Sequence, residues 1–357
     1  MRKYFGLFTA MLLVFTLVLA GCGSKGEQLE PKAALEKAVN AAMELESYGF
    51  KGKMKLNIEL PPEILEADPD AGMAFQMLQS TELVVSGVYQ KEPMQSEITV
   101  DLNMGDMKFS IPMVMKEKTL YVKVPDIPMI SMFLPPDLIG KYIEIDLEEL
   151  AELSGGELQT DSIDWETQQK LTIDMFDALL SSFDEKTYFK NYAADDVELP
   201  SGVEAEQVVK FQVNNDNFDD AVETFITKAL PAVIDVLSKQ EYLDALGLEK
   251  SDLDQVKEDI ELTDEEIADG ISEMKETVKI NDLSITTAMD EDYHLPYIEF
   301  NIDTDVTDAG QTGNITFNYS MEMTNINKEQ TFEIGVPSGD DVIDIMELEQ
   351  MFYEMEY

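Results

Sequence analysis

The sequence predicts an α+β fold in which one long, curved antiparallel sheet has helices packed on one side. Two observations lead to this prediction. Apolar and polar side chains alternate over several runs towards both ends of the chain, which is typical of half-buried antiparallel strands. In the middle, apolar residues recur three or four positions apart, as in amphipathic helices. The order helix, meander, helices, meander favours one sheet with a helical layer.

The first meander is expected directly after an N-terminal helix. Proline suits a first helical turn, so a helix is predicted from Pro31 to about Tyr48. A strand is predicted over 50–60, where Met54 and Leu56 alternate with lysines. Four further strands are predicted from alternating runs around Leu83/Val85/Tyr89, Ile98/Val100/Leu102/Met104, Met107/Phe109/Ile111/Met113/Met115 and Leu120/Val122/Val124. A tight hairpin is expected at Gly105-Asp106.

The middle of the chain is predicted to be mainly helical. Amphipathic patterns cover 145–155 and 162–184, and a stripe of Leu171, Met175, Leu179 and Phe183 marks the second. A strand is predicted over 208–213. Asn217 should begin a helix that Pro231 kinks, because proline lacks a backbone donor and clashes with the preceding turn. The acidic stretch 249–275 is expected to be helical or loosely ordered.

The last part of the chain repeats the meander pattern. Strands are predicted around Leu283/Ile285, Ile298/Phe300/Ile302, Ile315/Phe317/Tyr319/Met321/Met323 and Phe332/Ile334. The segment 308–313 is expected to be a hairpin loop, and an acidic helix is predicted over 340–353. Residues 31–357 are therefore predicted to form one domain, whose meander halves (about 31–125 and 200–337) are joined by the helical middle.

The N-terminus carries the most specific motif. Arg2 and Lys3 precede an apolar stretch that ends in Leu19-Ala20-Gly21-Cys22, the only cysteine of the chain. A basic segment, an apolar segment and small residues at the cut site are typical of a secretory signal. The motif resembles the bacterial lipobox, which implies a signal peptide over 1–21, a lipidated Cys22 and a lipidated tether over 22–30. The resemblance further implies a protein anchored on the extracytoplasmic side of the cell membrane. The alternative is an ordinary signal peptide or signal anchor with an incidental cysteine.

The composition excludes several classes of function. The formal net charge is −48, so nucleic acid is not an expected partner, because affinity for it comes mainly from lysine and arginine. No second thiol exists for a disulfide or a cysteine metal site. The run 303–308 has alternating carboxylates but lacks the glycine and final glutamate of a calcium loop. With one histidine, His294, and no nucleophile motif, neither an enzyme, a cofactor nor a metal site is expected.

Two short stretches carry a family resemblance. They are Leu45-Glu46-Ser47-Tyr48-Gly49-Phe50-Lys51-Gly52, and Met323-Thr324-Asn325-Ile326-Asn327-Lys328 with the following Phe332-Glu333-Ile334-Gly335-Val336-Pro337. Together with the lipobox they resemble Gram-positive bacterial lipoproteins, which are themselves similar to the lipid-handling proteins of the LolA and LppX type. The resemblance implies a strongly curved, half-open antiparallel sheet whose concave face is capped by helices and can hold acyl chains. It provides no site residues.

A proline-rich apolar loop over 124–136 is the candidate binding segment. Its methionines suit irregular partners, so we expect it to form the rim of a groove for a hydrophobic ligand, through Ile127, Met129, Ile130, Met132, Phe133 and Leu134. The alternative is a loop that only covers the core. The predicted function is a membrane-anchored lipoprotein that binds a lipid-like ligand without catalysis. The alternative is an interaction or sensory module that presents its acidic surface to a protein partner or to cations.

Overall fold

The structure, a computed structural model, describes residues 28–61, 81–104, 107–127, 134–153, 165–308 and 310–348. It has an α+β fold with a large, open and mostly antiparallel sheet, as the alternating patterns predicted. The described strands form a single sheet. Their order in it is β12 (Val342–Asp344), β6 (Tyr142–Asp146), β5 (Thr119–Lys123), β4 (Met107–Lys116), β3 (Gln95–Met104), β2 (Thr81–Gln90), β1 (Ser47–Glu59), β11 (Gln311–Thr324), β10 (Tyr297–Asp308), β9 (Val278–Met289), β8 (Gln207–Val213) and β7 (Phe189–Tyr192). The open sheet agrees with the curved, half-open architecture expected from the sequence.

The N-terminal meander occupies one half of the sheet. Its strands are β1 (Ser47–Glu59), β2 (Thr81–Gln90), β3 (Gln95–Met104), β4 (Met107–Lys116) and β5 (Thr119–Lys123). Met104 pairs with Met107, so only two residues join β3 to β4, which fits the expected hairpin. Gly105 and Asp106 themselves lie outside the described residues.

The C-terminal meander continues the same sheet. It consists of β8 (Gln207–Val213), β9 (Val278–Met289), β10 (Tyr297–Asp308) and β11 (Gln311–Thr324). β11 pairs antiparallel with β1 from Gly49↔Thr324 to Glu59↔Asn314, and this pairing joins the two meanders near the middle of the sheet. The hairpin after β10 is tighter than predicted, because Asp308 already pairs with Gln311.

Three short strands were not predicted. They are β6 (Tyr142–Asp146), β7 (Phe189–Tyr192) and β12 (Val342–Asp344). β12 runs parallel to β6 and buries Ile343, so the prediction of a helix over 340–353 is wrong at its start. A helix begins only at residue 345, and residues 349–357 lie outside the described part.

The strand predicted around Phe332 and Ile334 is also wrong. The buried carboxylate of Glu97 accepts hydrogen bonds from the backbone N–H groups of Glu333 (2.7 Å), Ile334 (2.9 Å) and Gly335 (2.6 Å). Backbone donors that are committed to a carboxylate are not free for a strand ladder. The segment therefore crosses the polar face of the sheet instead of extending it.

The helices lie mainly between β6 and β9 in sequence. Beyond α1 (Pro31–Met43) they are α2 (Leu147–Leu153), α3 (Trp165–Ser182), α4 (Glu185–Tyr188), α5 (Phe218–Thr224), α6 (Leu230–Leu237), α7 (Gln240–Leu246), α8 (Lys250–Asp259) and α9 (Asp264–Thr277). α1 and α4 contact β7 and β8, and α9 contacts β9 and β10. Within the part of the chain that the structure describes, no helix is long and apolar enough to cross a membrane.

α1 is shorter than predicted, because its C-terminal neighbours are bound elsewhere. The helix ends at Met43, and Ser47 already pairs in β1. The Ser47 hydroxyl donates to the carbonyl of Lys328 at 2.7 Å, and the Ser47 carbonyl accepts from the backbone N–H of Asn327 at 2.7 Å. These contacts with the end of the C-terminal meander favour the extended conformation over another helical turn.

Candidate functional site

An apolar cavity of about 650 Å³ lies between the helices and the sheet. This volume is within the range of about 300–1,000 Å³ that is usual for small-molecule sites. Except for Thr287, every side chain that lines it is apolar. The lining residues are Leu35, Phe176, Leu179, Leu180, Phe183, Phe189, Val209, Phe211, Val213, Phe218, Ala221, Val222, Phe225, Ile226, Met274, Ile280, Leu283, Ile285 and Thr287.

The sheet side of the cavity follows from strand alternation. On β8, Val209, Phe211 and Val213 share one face of the strand. Phe211 pairs with Ile285 on β9, and Val213 pairs with Leu283, so the apolar residues of neighbouring strands lie side by side. The two strands together form an apolar wall.

A β-bulge extends this wall by one residue. Asp303 of β10 pairs with Asp282, whereas Thr304 pairs with Ile280, so the register skips Asn281. An extra residue in one strand shifts the following side chains to the opposite face. Ile280 and Leu283 therefore both line the cavity although they are three positions apart.

The helix side is formed by α3, α5 and α9. Phe176, Leu179 and Leu180 project from one side of α3 at helical spacing, and Phe183 directly follows the end of this helix. The predicted stripe on this helix is confirmed for Leu179 and Phe183, since both line the cavity. The predicted apolar side of the helix after Asn217 contributes Phe218, Val222, Phe225 and Ile226. These helical patterns thus supply much of the lining.

A π-helical turn, Phe225–Ala229, connects α5 to α6 and borders the cavity with Phe225 and Ile226. Pro231 follows in the first turn of α6. Pro231 has no backbone N–H to donate, and in a regular α-helix its ring would clash with the carbonyl four residues earlier. The wider turn lies at this point of the chain. Pro231 therefore coincides with a local change of helix type at the cavity.

The cavity is open at one side. Four lining side chains remain substantially exposed: Phe225 (46%), Met274 (40%), Ile285 (38%) and Leu179 (37%). Apolar side chains at the wall of a pocket lose contact with water when a ligand covers them, which favours binding. The four residues define the mouth of the cavity.

The inner end of the cavity is rigidified by aromatic contacts. The ring of Phe211 meets that of Phe183 edge to face at 5.4 Å between centroids, that of Tyr188 in a stack at 5.9 Å, and that of Phe189 at 5.1 Å. Aromatic pairs of this kind contribute beyond the burial of their area. Burial raises the pKa of Tyr188, so its hydroxyl stays neutral at physiological pH.

The helical layer is pinned by a polar contact between α3 and α7. Tyr242 is fully buried, and its hydroxyl donates to Asp174 Oδ2 at 2.8 Å. The ammonium of Lys239 also contacts this carboxylate. The hydrogen bond from Lys239, together with that from Tyr242, lowers the pKa of Asp174. Burial and, to a smaller extent, the neighbouring Asp174 carboxylate raise the pKa of Tyr242. Both groups therefore keep their donor and acceptor roles near neutral pH.

The opposite face of β9 is polar and hydrogen-bonded. The Asp282 carboxylate accepts from Gln212 (2.7 Å), Ser284 (2.7 Å) and Asn301 (2.9 Å). Burial alone would raise the pKa of Asp282, but the hydrogen bonds from Asn301, Gln212 and Ser284 outweigh it and hold that pKa below its usual value. The sheet thus separates a polar layer from the apolar wall of the cavity.

The residues predicted to bind ligand lie apart from this cavity where they are described. Ile127 is buried and Leu134 is half-buried, and neither lines the cavity. Met129, Ile130, Met132 and Phe133 lie outside the described residues, as does Cys22. The sequence analysis identified apolar patterns on α3, α5 and β8 but assigned no ligand-binding role to their residues, which surround the cavity.

The polar groups considered for chemistry are engaged in structural contacts. His294 Nδ1 lies 3.0 Å from Asp290 Oδ2, and the backbone N–H of His294 donates to Asp290 Oδ1 at 2.9 Å. These contacts close the turn between β9 and β10. In the described ranges, His, Cys, Asp and Glu side chains form no group of three or more that could hold a metal ion.

Comparison with known proteins adds little. No family model matches the chain, and no curated protein matches its sequence. Among solved structures, one titled "Lipid-protein interactions in lipovitellin" is similar over 82% of this chain, with 8% sequence identity and a TM-score of 0.24. The match covers 26% of that chain, so this chain spans about a quarter of its length. At this TM-score the similarity says nothing about what this chain binds.

Proposed function

We propose that this protein is a membrane-anchored, extracytoplasmic lipoprotein that binds a lipid-like molecule in the apolar cavity without catalysis. One observation carries the proposal: a cavity of about 650 Å³ is lined by apolar side chains, apart from Thr287. Such a site offers a ligand no charged partner. A hydrocarbon chain therefore suits it, and a polar headgroup would remain at the mouth.

The exposed residues at the mouth support this proposal. Phe225, Met274, Ile285 and Leu179 would each lose exposed apolar surface on ligand entry. Burial of apolar surface contributes about 25 cal/mol per Å². The contribution to affinity within the cavity therefore comes from the hydrocarbon part of the ligand.

The proposal is tested by lipid extraction and by probe binding. Protein purified from its native membrane should release a lipid that mass spectrometry detects, and it should bind a pyrene-labelled monoacylglycerol. The variant Ile285→Glu places a carboxylate in the wall at a position that is 38% exposed, so we expect folding to persist and affinity to fall at least about tenfold.

A matched control separates cavity binding from general effects of an added charge. Leu246 on α7 is also 38% exposed and does not line the cavity, so Leu246→Glu should bind the probe as the wild type does. Absence of both co-purified lipid and probe binding in the wild type would refute the proposed function. Equal weakening by the two variants would refute the assignment to this cavity.

The anchor is tested separately from the ligand. The proposal implies that Cys22 is acylated, so cells fed an alkyne fatty acid should label the wild type but not Cys22→Ala. Label that persists in the variant would refute lipidation at Cys22 and leave the cavity proposal untouched.

A further inference from the structure

The apolar wall of the cavity continues across the open half of the sheet. Paired residues connect Phe211 on β8 to Phe109 on β4 through six intervening strands. Every member of this row is apolar or aromatic: Phe211, Ile285, Phe300, Tyr319, Met54, Leu83, Leu102 and Phe109. Neighbouring strands lie about 4.8 Å apart, so the row is about 34 Å long.

Rows on both sides of this one are apolar too. Val213, Leu283, Ile302, Phe317 and Leu56 pair successively from β8 to β1. On the other side, Met321, Gly52, Val85, Val100 and Ile111 pair from β11 to β4. The apolar surface is therefore a band several residues wide, and it is continuous with the cavity.

The described helices do not bury the far part of the band. Met54 is 38% exposed and Leu56 is 37% exposed, and every residue of β2 is only partly buried. An exposed apolar surface that is continuous with a pocket is a typical binding surface. The apolar band extends well beyond the cavity, so a ligand that occupies both the cavity and the band must be elongated or branched.

The charge around the mouth limits the headgroup. Glu223 on α5, and Glu273 and Glu276 on α9, each lie within two residues of a mouth residue. Lys275, the one lysine equally close in sequence to a mouth residue, donates to both carboxylate oxygens of Asp219, at 2.9 and 3.0 Å, so these two opposite charges neutralise each other. With a net charge of −48 on the chain, an anionic headgroup would be repelled.

We infer that the ligand is a lipid with at least two hydrocarbon chains and no net negative charge. One chain occupies the cavity, and another lies along the apolar band towards β4. This inference rests on the proposed function and adds the number of chains and the charge of the headgroup. The band is the additional binding surface, with Met54 and Leu56 as its exposed centre.

The test compares three lipids on the full-length protein held in amphipol. Labelled monoacylglycerol and diacylglycerol differ by one chain, and phosphatidylglycerol carries two chains and a negative charge. The double variant Met54→Gln/Leu56→Gln changes the band, while Asn57→Gln changes an exposed residue of the opposite face of β1. Diacylglycerol should bind the wild type more tightly than the other two lipids do.

The expected effect of the band variant is selective. The variant should weaken the binding of diacylglycerol about tenfold and leave the affinity for monoacylglycerol unchanged, because only the second chain contacts the band. Asn57→Gln should bind both lipids normally, and Ile285→Glu should weaken both. This pattern supports the inference.

Other patterns overturn it in distinguishable ways. If the band variant binds diacylglycerol normally while Ile285→Glu weakens both lipids, the band is not a lipid site and the cavity proposal survives. Tighter binding of phosphatidylglycerol than of diacylglycerol refutes the headgroup assignment. If sedimentation shows a wild-type dimer that the band variant converts to a monomer, a second copy occupies the band. No binding of any lipid by the wild type refutes both proposals.

Discussion

Replacement of Glu97 by glutamine should destabilise the protein by about 3 kcal/mol. The Glu97 side chain is nearly fully buried (4% exposed). Its Oε2 accepts from the backbone N–H groups of Glu333 and Ile334, and its Oε1 accepts from that of Gly335. Two regions that are more than 230 residues apart in sequence are thus joined by one carboxylate.

The magnitude follows from these three hydrogen bonds. A glutamine carbonyl can replace Oε2, but its amide group would then face the Gly335 N–H, donor against donor. A buried donor without an acceptor costs about 1–3 kcal/mol. The two remaining bonds become neutral instead of charge-assisted, which reduces each by about 1 kcal/mol. With about 1 kcal/mol for the unpaired Gly335 N–H, the total is about 3 kcal/mol.

Urea denaturation followed by circular dichroism measures this loss. With an m-value of about 3 kcal/mol/M, the midpoint of Glu97→Gln should fall by about 1 M. Glu329→Gln makes the same chemical change at an exposed position in the same segment, and it should shift the free energy of unfolding by less than about 0.5 kcal/mol. Hydrogen exchange should accelerate at the amides of 333–335 in the Glu97 variant only. An unchanged midpoint with protected amides would refute the reasoning.

Two further predictions concern glycine substitutions and the carboxylate of Asp282. An added Cβ at Gly87 would lie 2.0 Å from the Glu97 carbonyl oxygen, so Gly87→Ala should lower the thermal midpoint and reduce the free energy of unfolding by about 3 kcal/mol. Gly270→Ala, with open space around the new atom in α9, should instead stabilise by about 0.5–1 kcal/mol, and equal melting of both variants would contradict this. The lowered pKa of Asp282 means that its stabilisation is present above pH about 3.8 and is lost as pH falls through the lower folded-state pKa. Urea midpoints of wild type and Asp282→Asn should therefore converge on acidification, and a constant difference from pH 6 to pH 2 would contradict the shift.

Most long strands could be predicted from the sequence because alternation is a local property. Leu83, Val85 and Tyr89 identify β2 without reference to any partner, and Phe317, Tyr319 and Met321 do the same for β11. The secondary-structure predictions failed where a residue distant in sequence determined the local conformation. Phe332 and Ile334 alternate like a strand, yet Glu97 takes up the donors of this segment. β12 forms because residues 342–344 pair with β6, which is distant in sequence.

The cavity could be predicted only in its parts. Helical spacing correctly placed Leu179 on the cavity side of α3 and Phe183, just beyond the end of that helix, in the same lining, and it placed Phe218 and Phe225 on one side of the following helix. Such spacing shows which side chains face inward, but it does not give the distance between the layers that they join. Two apolar surfaces in full contact and two that enclose about 650 Å³ have the same pattern of residues.

The sequence by itself determined most of the long strands and helices, and which side of each is apolar, because both depend on neighbours within a few positions. Tertiary structure alone decided that β1 pairs with β11, that a bulge at Asn281 brings Ile280 into the wall, and that helices cover one end of the apolar band but leave Met54 exposed near its middle. The reason is physical. Pairing and enclosed volume depend on the separation of elements that are distant in sequence, and local side-chain periodicity contains no measure of that separation.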